Sequence, residues 1–171
     1  ASIPVNFMTA WVALEEMGRV RKGDRVLVPS AAGGVGIAAV QIAARAGAHV
    51  VGVVGAQSKF AAVKELGASE MITNDEWETS SDKDSGGFDI ILDATGGDSL
   101  KRSLRRLAQG GRVVNYGVSS MVGGSKRNLL KIAGSFLNTP FITPFRLMNE
   151  NKGIFGINML LFFRDDLTVQ F

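Results

Sequence analysis

Cysteine is absent from this 171-residue chain, and histidine occurs once, at His49. The first absence excludes a disulfide framework, a thiolate metal site and a cysteine nucleophile, and it fits an intracellular, cytoplasmic setting. The second leaves zinc without its usual nitrogen or sulfur ligands, so no metal site is expected. Charge of one sign is not in excess either. The 19 basic and 16 acidic side chains leave a formal net charge of +3, too little to imply nucleic acid or another polyanion as partner. Long hydrophobic runs are also missing. The longest near the end, Met159 to Phe163, falls far short of the roughly 18 apolar residues of a membrane span. No integral membrane segment is therefore expected, although peripheral membrane association stays open. The opening, Ala1 to Arg19, has no basic leader followed by an apolar stretch and cleavage site. Amphipathic and without Met, it reads as a cut inside a longer protein.

What is present is enough for one core, since 46% of the residues are hydrophobic. Apolar runs bounded by turn residues alternate with helix-period segments, the pattern of βα units on a parallel sheet. Strands are expected at Val26 to Val28, His49 to Val54, Glu70 to Thr73, Phe88 to Leu92, Arg112 to Tyr116 and Lys152 to Leu161. Helices are expected over Val35 to Arg45, ended by Gly47; from a Ser58 cap through Leu66; over Ser99 to Ala108, capped by Asp98 and ended by Gly110-Gly111; and over Ser125 to Phe136. Asn74 to Gly87 reads as a polar surface loop with a helical turn at Glu76 to Glu78, and Pro140 and Pro144 as breaks. The fold class is α/β: a six-stranded, doubly wound parallel sheet with helices on both faces. The basic cluster Lys101, Arg102, Arg105 and Arg106 is read as a solvated helix face, because Leu100, Leu104 and Leu107 form the opposite stripe.

The most informative stretch is Ser30-Ala31-Ala32-Gly33-Gly34-Val35-Gly36, directly between the first strand and the first helix. A turn of Gly and Ala lets the backbone approach a pyrophosphate, which free N–H groups and the positive end of the helix dipole then stabilise. Gly36 has a different task, allowing the helix to sit close to the strand. Against the G-x-G-x-x-G pattern, Ala31 stands where the first Gly would be, so the turn must accept a Cβ there.

The end of the second strand bears on which dinucleotide is held. An NAD-selective site places an Asp or Glu about 20 residues beyond the first Gly to accept from the ribose 2′-hydroxyl. Here Gly55-Ala56-Gln57-Ser58-Lys59 contains no acid, and the first is Glu65. Lys59 would attract a 2′-phosphate and Ser58 could donate to it, which points to NADP(H); the alternative is that Lys59 is a solvated first-turn residue. The missing acid also argues against a methyltransferase. No catalytic constellation emerges. His49 reads as a structural or surface residue, and Asp93, at the sheet edge where ligands bind, could equally cap the following turn.

Asn6-Phe7-Met8-Thr9-Ala10, Val26 to Gly36, Gly47-Ala48, Lys64 to Ala68, Asp93-Ala94-Thr95-Gly96-Gly97 and Gly110 to Val114 together resemble the cofactor domain of the medium-chain dehydrogenase/reductase superfamily. The Ala31 to Gly36 turn is similar to that of its quinone oxidoreductase branch. Lys126 to Leu129 and Asn151 to Asn158 resemble homologues of the synaptic vesicle membrane protein within that branch. The resemblance implies a Rossmann fold for residues 1–171, with a barrel-like catalytic domain outside this chain. It also implies NADP(H) as cofactor, held by Gly33 to Gly36 with Ala32 at the pyrophosphate, by Ser58, Lys59 and Asn74 at the 2′-phosphate, and by Asn6 and Thr9 near the nicotinamide. Tyr116-Gly117-Val118 and Phe155-Gly156 would close over the nicotinamide ring.

Two departures from the family pattern matter. Val5 occupies the place where zinc-dependent relatives carry a metal-binding Cys or Asp, so a zinc-independent enzyme is implied. Asn74 replaces a Tyr that often helps hold the 2′-phosphate in quinone reductases, but Asn can still donate. The whole protein would transfer hydride to a quinone, an enone or a related carbonyl compound, and the chain would dimerise through its last strand. The alternative is an NADPH-binding regulatory protein, or one that docks on membranes or partners, with little turnover. The Phe-, Leu- and Ile-rich stretch from Leu129 to Leu161 would support it.

Overall fold

Strands form where β-branched and aliphatic residues run without interruption, and every residue of His49–Val54 except His49 is buried. In the computed structural model, which describes residues 2–80, 86–117 and 142–162, the strands are β1 Arg25–Val28, β2 His49–Val54, β3 Glu70–Thr73, β4 Phe88–Asp93, β5 Leu107–Asn115 and β6 Gly153–Gly156. They form one six-stranded sheet in the order β3-β2-β1-β4-β5-β6, and every pairing is parallel. Val26 is in register with Val50 on one side and Ile90 on the other.

The period of two sorts the strand side chains between two cores. Val26, Val28, Val50, Val54, Ile90, Leu92 and Val114 face α1 (Ser2–Trp11), α2 (Gly34–Arg45) and α3 (Phe60–Glu65). Leu27, Val51, Val53, Ile91 and Val113 face α4 (Asn74–Thr79) and α5 (Asp98–Arg105) through Trp77, Leu100 and Leu104. Burying each such side chain contributes roughly 1.5–3 kcal/mol, so a sheet covered on both faces needs this apolar density in its central strands. A π-helical segment, Val12–Met17, continues α1. On α2 the buried stripe is Gly36, Ala38, Ala39, Val40 and Ala43; small residues there let α2 lie close to both the sheet and α1.

The strand and helix expectations hold for β2 and β3, and within a residue or so for β1, β4 and α2. Others are corrected. Ser58 does not cap α3: a 3-10 turn, Gln57–Lys59, leads into it, and no side chain caps either segment. Asp98 is the first residue of α5 rather than its cap, which is Gly97. Gly110 and Gly111 do not end that helix but lie inside β5, which begins at Leu107 because Phe88 and Leu107 pair across a register shift. The sixth strand stops at Gly156, and Met159–Phe162 forms the short helix α7. Pro144 opens helix α6 (Pro144–Glu150) instead of breaking the chain, with Thr143 capping Arg146 N–H. The helix expected at Ser125 to Phe136 and the break at Pro140 lie outside the described residues.

Arg106 departs from the solvated-face reading. It is 7% exposed, its guanidinium lies 4.1 Å over the Trp77 ring, and it donates to the Trp77 carbonyl at 2.5 Å and to the Ser80 carbonyl. The segment after β3 is a full helix, α4, started by a reciprocal capping box. The Thr73 hydroxyl accepts from Glu76 N–H at 3.2 Å, and the Glu76 carboxylate accepts from Thr73 N–H at 2.6 Å.

Thr73→Ala is expected to lower the unfolding free energy by about 1 kcal/mol, read from the denaturant midpoint. The bonds from Thr73 hold the Glu76 carboxyl below its ordinary 4.5. That contribution is complete above 4.5 and is lost as pH falls through the lower, folded value. The backbone N–H bond, the larger cause, survives Thr73→Ala, so only the hydroxyl's share of the gap should narrow in acid.

Candidate functional site

The sheet order reverses direction between β1 and β4. In an open α/β sheet this opens a crevice at the carboxyl ends of those two strands. One wall is the turn after β1. Ser30 takes a left-handed φ of 52°, and Ala31, fully buried, donates its N–H to the Val53 carbonyl at 2.9 Å. Its methyl is accommodated because residue 52 has no side chain: a Cβ on Gly52 would stand 3.1 Å from Ala31 Cβ. The Ala at the first Gly position is thus matched by a Gly on the neighbouring strand.

Gly33 donates to the Ser30 carbonyl at 2.7 Å and is the N-cap of α2, with no side chain capping the helix. The first-turn N–H groups of α2 are left for a ligand, at the positive end of its dipole. A Cβ on Gly36 would fall 2.2 Å from the Ser30 carbonyl oxygen and 2.8 Å from Ala31 Cα, so only Gly lets α2 start this close to the strand. Gly33 and Gly34 are exposed, while Ala32 and Val35 pack against the core and offer the crevice backbone alone. Asn6, on α1, lies over Gly34, where a Cβ would be 2.3 Å from Asn6 Nδ2. Thr9 is buried and donates its hydroxyl proton to the Val5 carbonyl at 2.8 Å, which leaves it only acceptor capacity.

The opposite wall is built on Asp93, the fully buried last residue of β4. Its carboxylate accepts from Thr95 N–H and Ser99 Oγ at 3.0 Å each, and from Gly96 N–H and Asn115 Nδ2 at 3.2 Å. It therefore caps the following turn, and its lone pairs are engaged within the chain. Tyr116 donates its N–H to the Asp93 carbonyl at 2.9 Å. Burial, with the Asp93 charge second, pushes its phenol up to about 12. Gly117 packs on the Ala94 carbonyl, which a Cβ would approach to 2.9 Å, and Val118 lies outside the described residues. On β6, Phe155 is in register with Val114 and Gly156 with Asn115, which brings both to the same carboxyl edge as Tyr116.

At the far end of that edge, Gly55, Ala56, Gln57, Ser58 and Lys59 are all exposed, as is Asn74. A Cβ on Gly55 would stand 3.7 Å from Asn74 Nδ2, so the Asn74 amide lies against the loop that carries Ser58 and Lys59. His49 lies at the other end of the strands, where Nε2 meets Glu70 Oε1 at 3.1 Å, a surface pair outside the crevice. Sequence reasoning missed Asn115 and Ser99 as the partners of Asp93, and Gly52 as the partner of Ala31. The signal available was a Gly inside a strand, which marks close backbone approach.

Residues 34–166 match the profile of the zinc-binding dehydrogenase family. The chain belongs to this family. Within the medium-chain dehydrogenase/reductase superfamily it corresponds to the nucleotide-binding half. It is 33% identical over 162 residues to the human synaptic vesicle membrane protein VAT-1 homolog, covering 93% of this chain and 41% of that protein. The quinone oxidoreductase of Thermus thermophilus, solved also with NADPH, superimposes with a TM-score of 0.74 at 34% identity, covering 96% of this chain and 48% of that one. The nucleotide-binding subdomain of the PpsC enoylreductase domain from Mycobacterium tuberculosis gives 0.74 at 27% identity, covering 96% and 85%. This chain thus spans less than half the length of the first two. Among the described residues no group of three or more His, Cys, Asp or Glu could hold a metal ion.

Tyr116 is the sole tyrosine of the chain, so phenolate absorbance isolates it. The titration midpoint is expected near 12, against about 10 for a free phenol. Because the folded value is the higher one, the stability linked to this group is complete below pH 10 and declines as pH rises toward the folded value. A midpoint near 10 in the folded chain would contradict this environment.

Proposed function

We propose that the crevice between the Ser30–Gly36 turn and the Asp93–Gly97 turn holds NADP(H), and that the chain is the cofactor-binding part of a zinc-independent reductase. The observation that carries the reading is the uncapped start of α2 behind the glycines of residues 33, 34 and 36, a cradle that a Cβ would fill. When bound, the cofactor would supply hydride for reduction of a quinone, an enone or a related carbonyl compound.

The chain's own part would be binding and orientation. The amides of Gly34 to Gly36 would bind the pyrophosphate, and Ala32 to Val35 would shape its bed. Lys59, with Ser58 and Asn74, would meet the 2′-phosphate. Support comes from the exposure of all three residues beside a strand end without a carboxylate. Asn6, held against Gly34 by α1, would orient the nicotinamide amide, with Thr9 behind it as an acceptor. Tyr116, Gly117 and Val118 on one side and Phe155 with Gly156 on the other would line the ring. A neutral Tyr116 phenol, with its raised pKa, suits an electron-rich dihydronicotinamide.

The acceptor and the remaining catalytic groups would come from a companion domain. An apolar groove of about 440 Å³ along α1, lined by Phe7, Met8, Trp11, Val12 and Ile42, supports a further packed element there. No helix among the described residues is long and apolar enough to cross a membrane.

β6 ends the sheet with Phe155 at 40% exposure, and Phe145 and Met148 on the preceding helix α6 are 68% and 63% exposed. An open edge flanked by apolar side chains suits pairing with a second copy. Sedimentation equilibrium at micromolar concentration is expected to give a dimer, and a monomer throughout would remove this part of the reading.

Fluorescence titration with NADPH and NADH tests the cofactor assignment. NADPH should bind more tightly than NADH, and Lys59→Ala should weaken NADPH by about 1 to 2 kcal/mol with little effect on NADH. Equal losses for both cofactors would refute the 2′-phosphate role of Lys59.

A further inference from the structure

Helix α5 leaves the crevice at Gly97 and descends against the direction of the strands. It reaches their amino ends where the Arg106 carbonyl accepts from Phe88 N–H, the first residue of β4, at 2.9 Å. Helix α4 comes to the same end, with Trp77 edge-on to Phe88 at 6.0 Å between ring centres. Between the two helices lies a cleft of about 620 Å³ whose described lining residues are charged or polar, with Lys101, Arg102, Arg105 and Arg106 set against Glu78, Ser80 and Asp98.

We propose that this cleft is a second anion site, one that takes a phosphate monoester of a small polar compound. Lys101 and Arg105 stand four residues apart on one helix, as do Arg102 and Arg106. Like charges at that spacing repel and cost helix stability. The negative end of the helix dipole favours cations in the last turn, where Arg102 and Arg105 stand, and Lys101 falls just outside it. Among the described lining residues, the four cations less the two carboxylates leave a surplus of two positive charges, the charge a phosphate monoester dianion neutralises.

Arg106 has a separate task. Buried, stacked on Trp77 and donating to the Trp77 and Ser80 carbonyls, it forms a fixed positive floor, while Arg102, Arg105 and Lys101, none of them buried, supply the ligand contacts. Guanidinium forks match phosphate oxygens in pairs. The volume leaves room for a sugar-sized group beside the phosphate, whose hydroxyls the charged and polar lining residues can meet.

The test is isothermal titration of the purified protein at 0.15 M salt with inorganic phosphate and with glucose 6-phosphate, each with and without saturating NADPH. A parallel arm is co-sedimentation with phosphatidic acid vesicles. Saturable binding of both soluble probes is expected, unchanged by NADPH, and weakened at least tenfold in Arg102→Gln/Arg105→Gln. Lys101→Gln, a milder change at an exposed position, should weaken it severalfold. Without phosphate the double variant should still unfold in one cooperative transition, which separates lost binding from lost folding. Displacement of the probes by NADPH, equal affinity in parent and variants, binding to vesicles alone, or no saturable binding would each overturn the proposal. None of these outcomes depends on whether the crevice at the other edge holds NADP(H).

Discussion

How closely α2 starts against the end of β1 is the constraint on which the carboxyl edge depends. The Ser30 carbonyl and Ala31 Cα occupy the space a side chain on residue 36 would need. That contact, with the Ala31 N–H bond to Val53, fixes where the first amides of α2 stand relative to β1 and β2. Asn6 can lie on Gly34 only because α2 begins there. A shift of α2 outward by one methyl group would move the amides, the Asn6 contact and the small-residue stripe on Ala38, Ala39 and Ala43 together.

The two ends of the sheet are electrostatically different, and the difference follows from chain direction. At the carboxyl end, α2 presents uncapped donors while the Asp93 carboxylate is absorbed by Thr95, Gly96, Ser99 and Asn115. Its negative charge is thereby held into the turn, and after burial it is the second cause of the raised Tyr116 pKa. At the amino end, side chains take the place that backbone amides hold above. Arg112 ties β5 to the Gly18 and Arg19 carbonyls and to Asp24, Arg25 and His49 share Glu70, and Arg106 joins α4 to α5 through Trp77.

Much of the fold was legible in the sequence because the signals were long-range in kind and local in form. Uninterrupted apolar runs at His49 to Val54 and Phe88 to Leu92 have few other uses than two-sided burial, and the glycines after Val28 sit where a strand becomes a helix. Misreadings came where one residue type serves two purposes. Gly110-Gly111 reads as a helix stop, but β5 starts earlier because Leu107 pairs with Phe88 in the sheet. Arg106 reads as solvent-facing from helical spacing, yet the Trp77 ring and two carbonyls make its burial favourable, a tertiary fact with no local signature. The Thr73-to-Glu76 capping box was available from spacing alone. For the candidate site, the turn and the acid-free strand end were legible, whereas the internal partners of Asp93 depend on β5 lying beside β4 and on α5 following its turn.

The central claim is that an anionic dinucleotide rests its pyrophosphate on the first turn of α2. Backbone amide shifts followed by nuclear magnetic resonance during an NADPH titration test it most directly. The account predicts that the largest saturable changes fall on Gly33 to Gly36, with smaller ones at Ser58, Lys59 and Asn74. Saturation that leaves the amides of Gly33 to Gly36 unmoved would contradict it.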